Sequence, residues 1–394
     1  MAQSNGGAQP FLVAGGGIGG LAAAYALARQ GLAARVFEQS AEFREVGAGI
    51  QLGPNVFRVL EKIGLKDAIL ADAHIPPAQE MRDALTGKLI TRIPLGEEFA
   101  ARFGQPYAVT HRADIHGTFL QACQSSNLIT LENNRRVEGY EERADGVTAL
   151  RDDGERVAGR ALIGCDGMWS QIRERIVGDG SPRVSGHIAY RAVLRREDVP
   201  QDLWRPDVVL WAGPRTHFVH YPLRRGELYN LVAVFHSDRY EEGWNAEGST
   251  DLLWEHFKGQ VPQVLRMLER IETWRMWVLC DREPVKNWSR GRVTLLGDAA
   301  HPMLQYLAQG ACMATEDAVV LAQTVAEKPD DLPAAFKSYE QARYLRTGRT
   351  QIMARVYGEF YHARDVTAEL RDLALSGRTP QQSYDGIAWL YDGP

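Results

Sequence analysis

The sequence predicts an α/β chain in which a parallel-sheet domain is interrupted by an α+β domain carrying a mostly antiparallel sheet and is followed by helices. Three observations predict it. An apolar run, a glycine turn and an alanine-rich stretch open the chain; two later apolar runs each end at a Gly/Asp pair; and between those runs lie β-branched and aromatic segments separated by Gly, Pro and Arg turns. At 394 residues the chain exceeds one ordinary domain, so two domains, each with its own core, are expected.

The first element is the apolar run Phe11 to Ala14, followed by the glycine turn Gly15 to Gly20 and by Leu21 to Gln30, a helical stretch that Gly31 can close. Ala34 to Glu38 reads as a second strand, which completes a βαβ unit whose strands should pair in parallel through a right-handed crossover. Gly15, Gly17 and Gly20 form GxGxxG directly after a strand and at the opening of a helix, where backbone N–H groups and the helix dipole can hold a pyrophosphate. Glu38 stands about twenty residues on, at the end of the second strand, where a carboxylate can accept both hydrogen bonds of an adenosine ribose. A glycine turn alone occurs in many α/β proteins. Strand, helix and Glu38 together favour a dinucleotide, and leave NAD and FAD both open.

Ala161 to Cys165 and Arg292 to Leu296 read as buried strands that each deliver a turn to a site. Ala189 to Arg195, Val208 to Ala212, Thr216 to Pro222 and Tyr229 to Phe235 read as the strands of the inserted sheet. Beyond about Pro333 the pattern is helical and charged, with Tyr357, Phe360 and Tyr361 as candidates for one packed face.

Composition narrows the partners. The net charge of −5 and the lack of a basic face argue against nucleic acid. Cys123, Cys165, Cys280 and Cys312 are widely separated and form no CxxC pair, which argues against a disulfide framework or a metal cluster and fits a reducing cytoplasm. The charge-free run Phe11 to Ala28 is crowded with glycine and reads as strand, turn and helix, and no other segment approaches the length of a membrane span.

Two further motifs carry a resemblance. Cys165-Asp166-Gly167-Met168-Trp169-Ser170-Gln171-Ile172-Arg173 is similar to the DG motif (DGxxSxxR) of the class A, single-component flavoprotein aromatic hydroxylases, and Gly297-Asp298-Ala299-Ala300-His301-Pro302 to their GD motif. Either aspartate alone could merely cap a turn or a helix. The resemblance runs along nearly the whole chain and implies FAD on a GR2-like Rossmann domain. Asp166 would serve cofactor and nicotinamide, and Asp298, after Gly297, the ribityl chain. Gly310 and Ala311, ahead of the helical run Met313 to Ala326, would lie at the flavin end, where a reduced ring wants N–H donors. Arg44 and Arg112 match positions that contact the cofactor in relatives, although each could equally be a surface ion pair.

The segments Pro106 to Arg112, His217 to Arg224 and His301 to Leu307 resemble the 3-hydroxybenzoate 6-hydroxylases more narrowly. By that resemblance His217 would be the base at the substrate phenol, and Tyr107, Tyr221 and Gln305 would orient ring and carboxylate. Removing the phenolic proton enriches the ortho and para carbons, which a modest electrophile such as a flavin C4a-hydroperoxide requires, and histidine accepts a proton near neutrality. Para to the hydroxyl of 3-hydroxybenzoate is C6, so the implied product is gentisate (2,5-dihydroxybenzoate). His217 and His220 should face opposite sides of their strand, so one of the two enters a pocket. No arginine is assigned to the substrate carboxylate.

The implied division is an FAD-binding domain from residues 1–75, 100–180 and 276–345, a substrate domain from 76–99 and 181–275, and a helical segment 346–394 that suits a homodimer contact. Without a second GxGxxG, the nicotinamide would bind transiently; NADH is implied by the relatives, with NADPH possible, and O2 and an aromatic acid are the other partners. The alternatives are a salicylate- or 6-hydroxynicotinate-type decarboxylating monooxygenase on the same scaffold, and a flavoprotein reductase that does not activate oxygen.

Overall fold

The computed structural model describes residues 9–44, 47–237 and 244–393, with the backbone alone for 244–246. Among the described residues, a six-stranded sheet contains Phe11–Ala14 at its centre, flanked in parallel by Ala34–Phe37 on one side and Ala161–Gly164 on the other. Val293–Leu295 continues the parallel set beyond Ala161–Gly164, and Ile129–Glu132 continues it beyond Ala34–Phe37. Strands buried on both faces need continuous apolar sequence, and Phe11, Leu12, Val13, Leu162, Ile163 and Val293 are each 1% exposed or less. The helix Ile18–Arg29 covers one face through Leu21, Ala22, Ala23, Ala26 and Leu27, and packs against the helix Gly310–Glu327.

An eight-stranded sheet forms the second layer and draws on Ala78–Pro94 as well as Arg183–Asp281. Its neighbours run antiparallel except where Val208–Gly213 lies parallel to Ala78–Asp83. The strand Arg183–Arg195 is longer than its apolar stretch because it pairs with Leu228–His236 on one edge and Arg275–Asp281 on the other, with an irregularity between Val184 and Ile188 on the second edge. One face packs Phe218, Tyr229, Leu231 and Phe235 against the helices Thr250–Phe257 and Pro262–Leu268. The other face looks toward the first layer.

The helix Leu332–Tyr361 runs unbroken across position 345, where the sequence places a boundary, and its 30 residues contact both layers. Arg343 ties it to the helix Gly310–Glu327, and Arg355 ties it to Asp281 of the second sheet (2.6 Å). A three-stranded antiparallel sheet of Val137–Arg143, Gly146–Arg151 and Arg156–Gly159, and the pair Gly49–Leu52 with Ala108–His111, complete the architecture among the described residues. No described helix is long and apolar enough to cross a membrane.

Candidate active site

Conformation explains the glycine turn at the first strand. Gly15 has φ of +111°, and a Cβ there would run into the Cys165 carbonyl, while one on Gly20 would run into the carbonyl of Gly15. Gly17 is the N-cap of the 12-residue helix, and no side chain caps that end, so the first-turn N–H groups are presented at the turn. Glu38 accepts from the N–H groups of Gly16 and Ser40, both at 2.8 Å, one on each carboxylate oxygen. Each oxygen keeps a further lone pair for a ribose hydroxyl. This cradle fits a dinucleotide because its narrow points are those a side chain would fill.

The two Asp motifs meet in space. Arg173, the last residue of the DG motif, is fully buried and donates to the carbonyls of Ala299 (2.9 Å) and Ala300 (2.6 Å) in the GD turn. The Asp166 carboxylate accepts from the Ser170 hydroxyl (2.5 Å) and the Ile172 N–H (3.2 Å), so it caps the helix Gln171–Ile176. Gly297 has φ of +62° and donates its N–H to Asp317 (3.1 Å), and Asp317 in turn bonds His301 (2.5 Å) and Arg343 (2.6 Å). Burial alone would raise the Asp317 pKa, but His301 and Arg343 more than reverse it and hold the carboxyl at about 2. Clamped from both sides, the turn leaves Asp298 exposed between buried Gly297 and Ala299. A Cβ on Gly310 would come within 3.9 Å of Asp298 Oδ1, so Asp298 lies beside the opening of the helix Gly310–Glu327, which no side chain caps. Ala311 follows there. His301 is buried and bound to Asp317.

Gly49 joins this cradle to the second sheet. Its N–H donates to Asn230 (2.7 Å), and a Cβ there would lie 2.7 Å from the Tyr221 ring. Arg112 opens the helix Arg112–Gln124 and donates its backbone N–H to Ala48 (3.0 Å). Arg44 is exposed, and the neighbouring Glu45 and Val46 of its segment lie outside the described residues.

Strand register puts His187, Arg191, His217, Tyr221, Asn230 and His236 on one face of the eight-stranded sheet. His220 points to the opposite face, where it accepts from Trp211 Nε1 (3.0 Å) and bonds the Tyr229 hydroxyl (2.8 Å). His217 Nδ1 meets His362 Nε2 at 2.7 Å, which leaves Nε2 as the nitrogen for a bound molecule. Tyr107 belongs to a neighbouring cluster: its hydroxyl bonds Gln51 and accepts from Gln79 (2.7 Å), and its ring packs edge-on against Phe99 and Tyr391. Burial pushes the Tyr107 and Tyr221 hydroxyls above the ordinary tyrosine range, so both stay protonated donors.

Gln305 accepts a hydrogen bond from Arg191, a residue that the sequence did not single out. The Arg191 guanidinium lies 5.4 Å from the Trp277 ring centre, its Nε is buried without a hydrogen-bond partner, and no carboxylate pairs with it among the described residues. Burial, with Arg112 nearby, lowers its pKa to about 10. A partly buried cation bonded to a neutral amide is suited to receive an anion. The available signal was an arginine inside an otherwise apolar strand, Ala189 to Val193.

Burial, then neighbouring histidines, lowers His217 to about 3 and His187 to about 4, while burial and nearby arginines lower His220 to about 3. These imidazoles are neutral when folded. The unfolded chain takes up protons below about pH 6.5 and the folded chain does not, so this stability is present above that pH and is lost as pH falls toward 3 to 4. Urea unfolding should show a loss of about 2 kcal/mol per buried imidazole between pH 7 and pH 5. Equal unfolding free energies at the two pH values would contradict neutral burial.

The chain is similar to known proteins over most of its length. The family described as FAD binding domain matches residues 9–350. The chain is 45% identical over 382 residues to a 3-hydroxybenzoate 6-hydroxylase of Polaromonas naphthalenivorans (strain CJ2), covering 97% of this chain and 95% of that one. A 3-hydroxybenzoate 6-hydroxylase of Klebsiella oxytoca is 44% identical over 380 residues, 96% of each chain. Among solved structures, Klebsiella pneumoniae HpxO complexed with FAD and uric acid superposes with a TM-score of 0.87 at 26% identity, covering 98% of this chain and 97% of that one.

Proposed function

The chain belongs to the FAD binding domain family and is an FAD-dependent aromatic monooxygenase; from that premise we propose that it hydroxylates 3-hydroxybenzoate para to its hydroxyl, giving gentisate with NADH and O2. The observation that carries the reading is the pairing, on one sheet face, of a partly buried guanidinium lacking a carboxylate partner among the described residues with a buried neutral imidazole. Arg191 and His217 lie two strands apart and one side-chain repeat along, roughly 12 Å between Cα atoms, a span that their side chains and one benzene ring can bridge.

FAD, when bound, accepts hydride from the nicotinamide and activates O2 for transfer of one oxygen atom to the ring. Gly15, Gly17, Gly20 and Glu38 would hold its adenosine pyrophosphate, with Asp298, Gly310 and Ala311 at the flavin end and Arg44, Arg112 and Asp166 along its margins. Arg191 holds the substrate carboxylate through charge-assisted hydrogen bonds, and Gln305 fixes the guanidinium. His217 Nε2 takes the phenolic proton, which enriches the para carbon. Tyr221 and Tyr107, both protonated donors, order the ring and the Gln51 side of the cavity. The buried sheet face excludes water from the reacting atoms.

Product chromatography tests the reading. Gentisate from 3-hydroxybenzoate is the expected product, whereas catechol from salicylate, or NADH consumption without oxygen incorporation, overturns it. We further propose a cytoplasmic homodimer. Leu345, Ile352 and Val356 line one exposed face of the helix Leu332–Tyr361, and Val366, Leu370 and Leu373 line another on the helix Asp365–Leu375. A monomer mass by light scattering would refute the dimer, and cell fractionation checks the compartment.

A further inference from the structure

Around His217 the fold gathers three more histidines, His187, His236 and His362. His362 caps the C-terminus of the helix Leu332–Tyr361, and its Nε2 lies 2.7 Å from His217 Nδ1. Its other nitrogen, Nδ1, lies 2.8 Å from His236 Nε2. His217 and His362 are 4% exposed, whereas His236 is only partly buried and stands at the end of its strand. Backbone bonds fix the row: Arg215 N–H donates to the His362 carbonyl (3.0 Å), and His236 N–H donates to the Arg215 carbonyl (3.1 Å). The His187 ring lies tilted against His236 at 4.1 Å between ring centres and bonds the Tyr306 hydroxyl (2.5 Å). One ring nitrogen from each of His187, His236 and His362 lies within 4.8 Å of the others, a spacing that a metal ion could also use. The two nitrogens of His362 are each directed at a neighbouring imidazole, His217 on one side and His236 on the other.

We propose that His217, His362 and His236 form a proton relay, which carries the phenolic proton from the buried substrate to the surface. The inference rests on the reading of the site as one that ionises a phenol. The O–H bond breaks, and its proton binds His217 Nε2 while Nδ1–H is given to His362 Nε2. His362 then gives Nδ1–H to His236 Nε2, and His236 releases one proton to solvent from its other nitrogen. One proton enters, one leaves, each imidazole ends neutral, and the phenolate stays behind; rotation of the rings resets their tautomers. The outlet is needed because His217 cannot keep a proton. It is enclosed, and the groups that act on it are the imidazoles of His187 and His236; Arg215 acts on His362, Arg183 and Arg215 act on His187, and Glu359 acts on Tyr306. Tyr306 and Tyr361 face His217 edge-on and are neutral. Among the described residues no carboxylate pairs with His217 or His362, in contrast to His301 with Asp317.

The test mixes FAD-loaded protein with 3-hydroxybenzoate in weakly buffered solution containing a pH-indicator dye, and follows proton release by stopped flow. In His362→Gln, which keeps hydrogen-bonding atoms but cannot pass a proton, release should slow at least 10-fold and hydroxylation should slow with it. Substrate affinity and flavin reduction by NADH should change less than twofold. His236→Gln, at a partly exposed position, should behave alike. Added imidazole should restore release in His362→Ala but not in His362→Gln. Wild-type release rates in both glutamine variants overturn the relay, as does a slowed His362→Ala that imidazole does not rescue, since that outcome assigns His362 to positioning alone. Wild-type protein that binds no 3-hydroxybenzoate overturns the functional reading instead, and the relay with it. Binding and normal proton release in the variants overturn the relay alone.

Discussion

His217→Ala should retain FAD and its reduction by NADH yet lose hydroxylation by roughly 10²- to 10⁴-fold, the usual contribution of a positioned base. The residue lies in the strand Thr216–Leu223, on the face that carries Arg191 and Tyr221. Its Nδ1 is engaged by His362, and its proton affinity is low enough to keep it neutral. Removing the ring leaves backbone, nucleotide cradle and carboxylate anchor in place. The loss should therefore fall on oxygen transfer, with reductant diverted to H2O2. His220→Ala, on the opposite face, should cost stability but not ionisation of the substrate, which makes it the control. The base assignment is refuted if His217→Ala forms product at the parent rate, measured by single-turnover product analysis.

The second large effect is expected at Arg191. Arg191→Met should weaken binding of 3-hydroxybenzoate by roughly 2–4 kcal/mol, about 30- to 1000-fold, because a buried carboxylate loses its charged partner. The neutral analogue 3-hydroxybenzamide should bind parent and variant nearly alike. The unliganded variant should also melt at a higher temperature than the parent, since it no longer desolvates a partly buried cation whose described hydrogen-bond partner is an amide. These effects have opposite signs, and a merely structural arginine would give neither the selectivity for acid over amide nor the gain in stability. Titration of both ligands by flavin absorbance decides it. An acid-to-amide affinity ratio that Arg191→Met leaves unchanged would remove Arg191 from the site.

What was legible in the sequence was local. The first strand, glycine turn and helix follow from residues within about twenty positions of one another, and the apolar run, the glycine spacing and Glu38 each signal their place without tertiary information. Segments of the second sheet were legible from β-branched and aromatic composition. The incorporation of Ala78–Pro94 into that sheet follows instead from a parallel pairing between Val208–Gly213 and Ala78–Asp83, more than a hundred residues apart. Arg191 was hidden for a related reason. Its significance is the absence of a paired carboxylate, which is a property of the folded surroundings and not of Ala189 to Val193. Nothing in the sequence singles out His187, His236 and His362, because only the register of two strands and the end of a helix bring them to His217. His301 ran the other way: it stands in a motif segment, yet Asp317 draws it into the core.

The helix Leu332–Tyr361 gives the molecule a ruler. Its thirty residues span about 45 Å at 1.5 Å each, pinned by Arg343 near the nucleotide end and by Arg355 further along, with His362 at the far tip. Angular phase is thus set by residue count. One extra residue between Tyr344 and Arg355 would swing the tip by about 100° and advance it by about 1.5 Å, so the final imidazole would miss its neighbour while the anchored end stayed as it was. A change of seven would nearly restore the angle but displace the tip by about 10 Å. The chemistry at one sheet is thereby gauged by a length of chain fastened at the other.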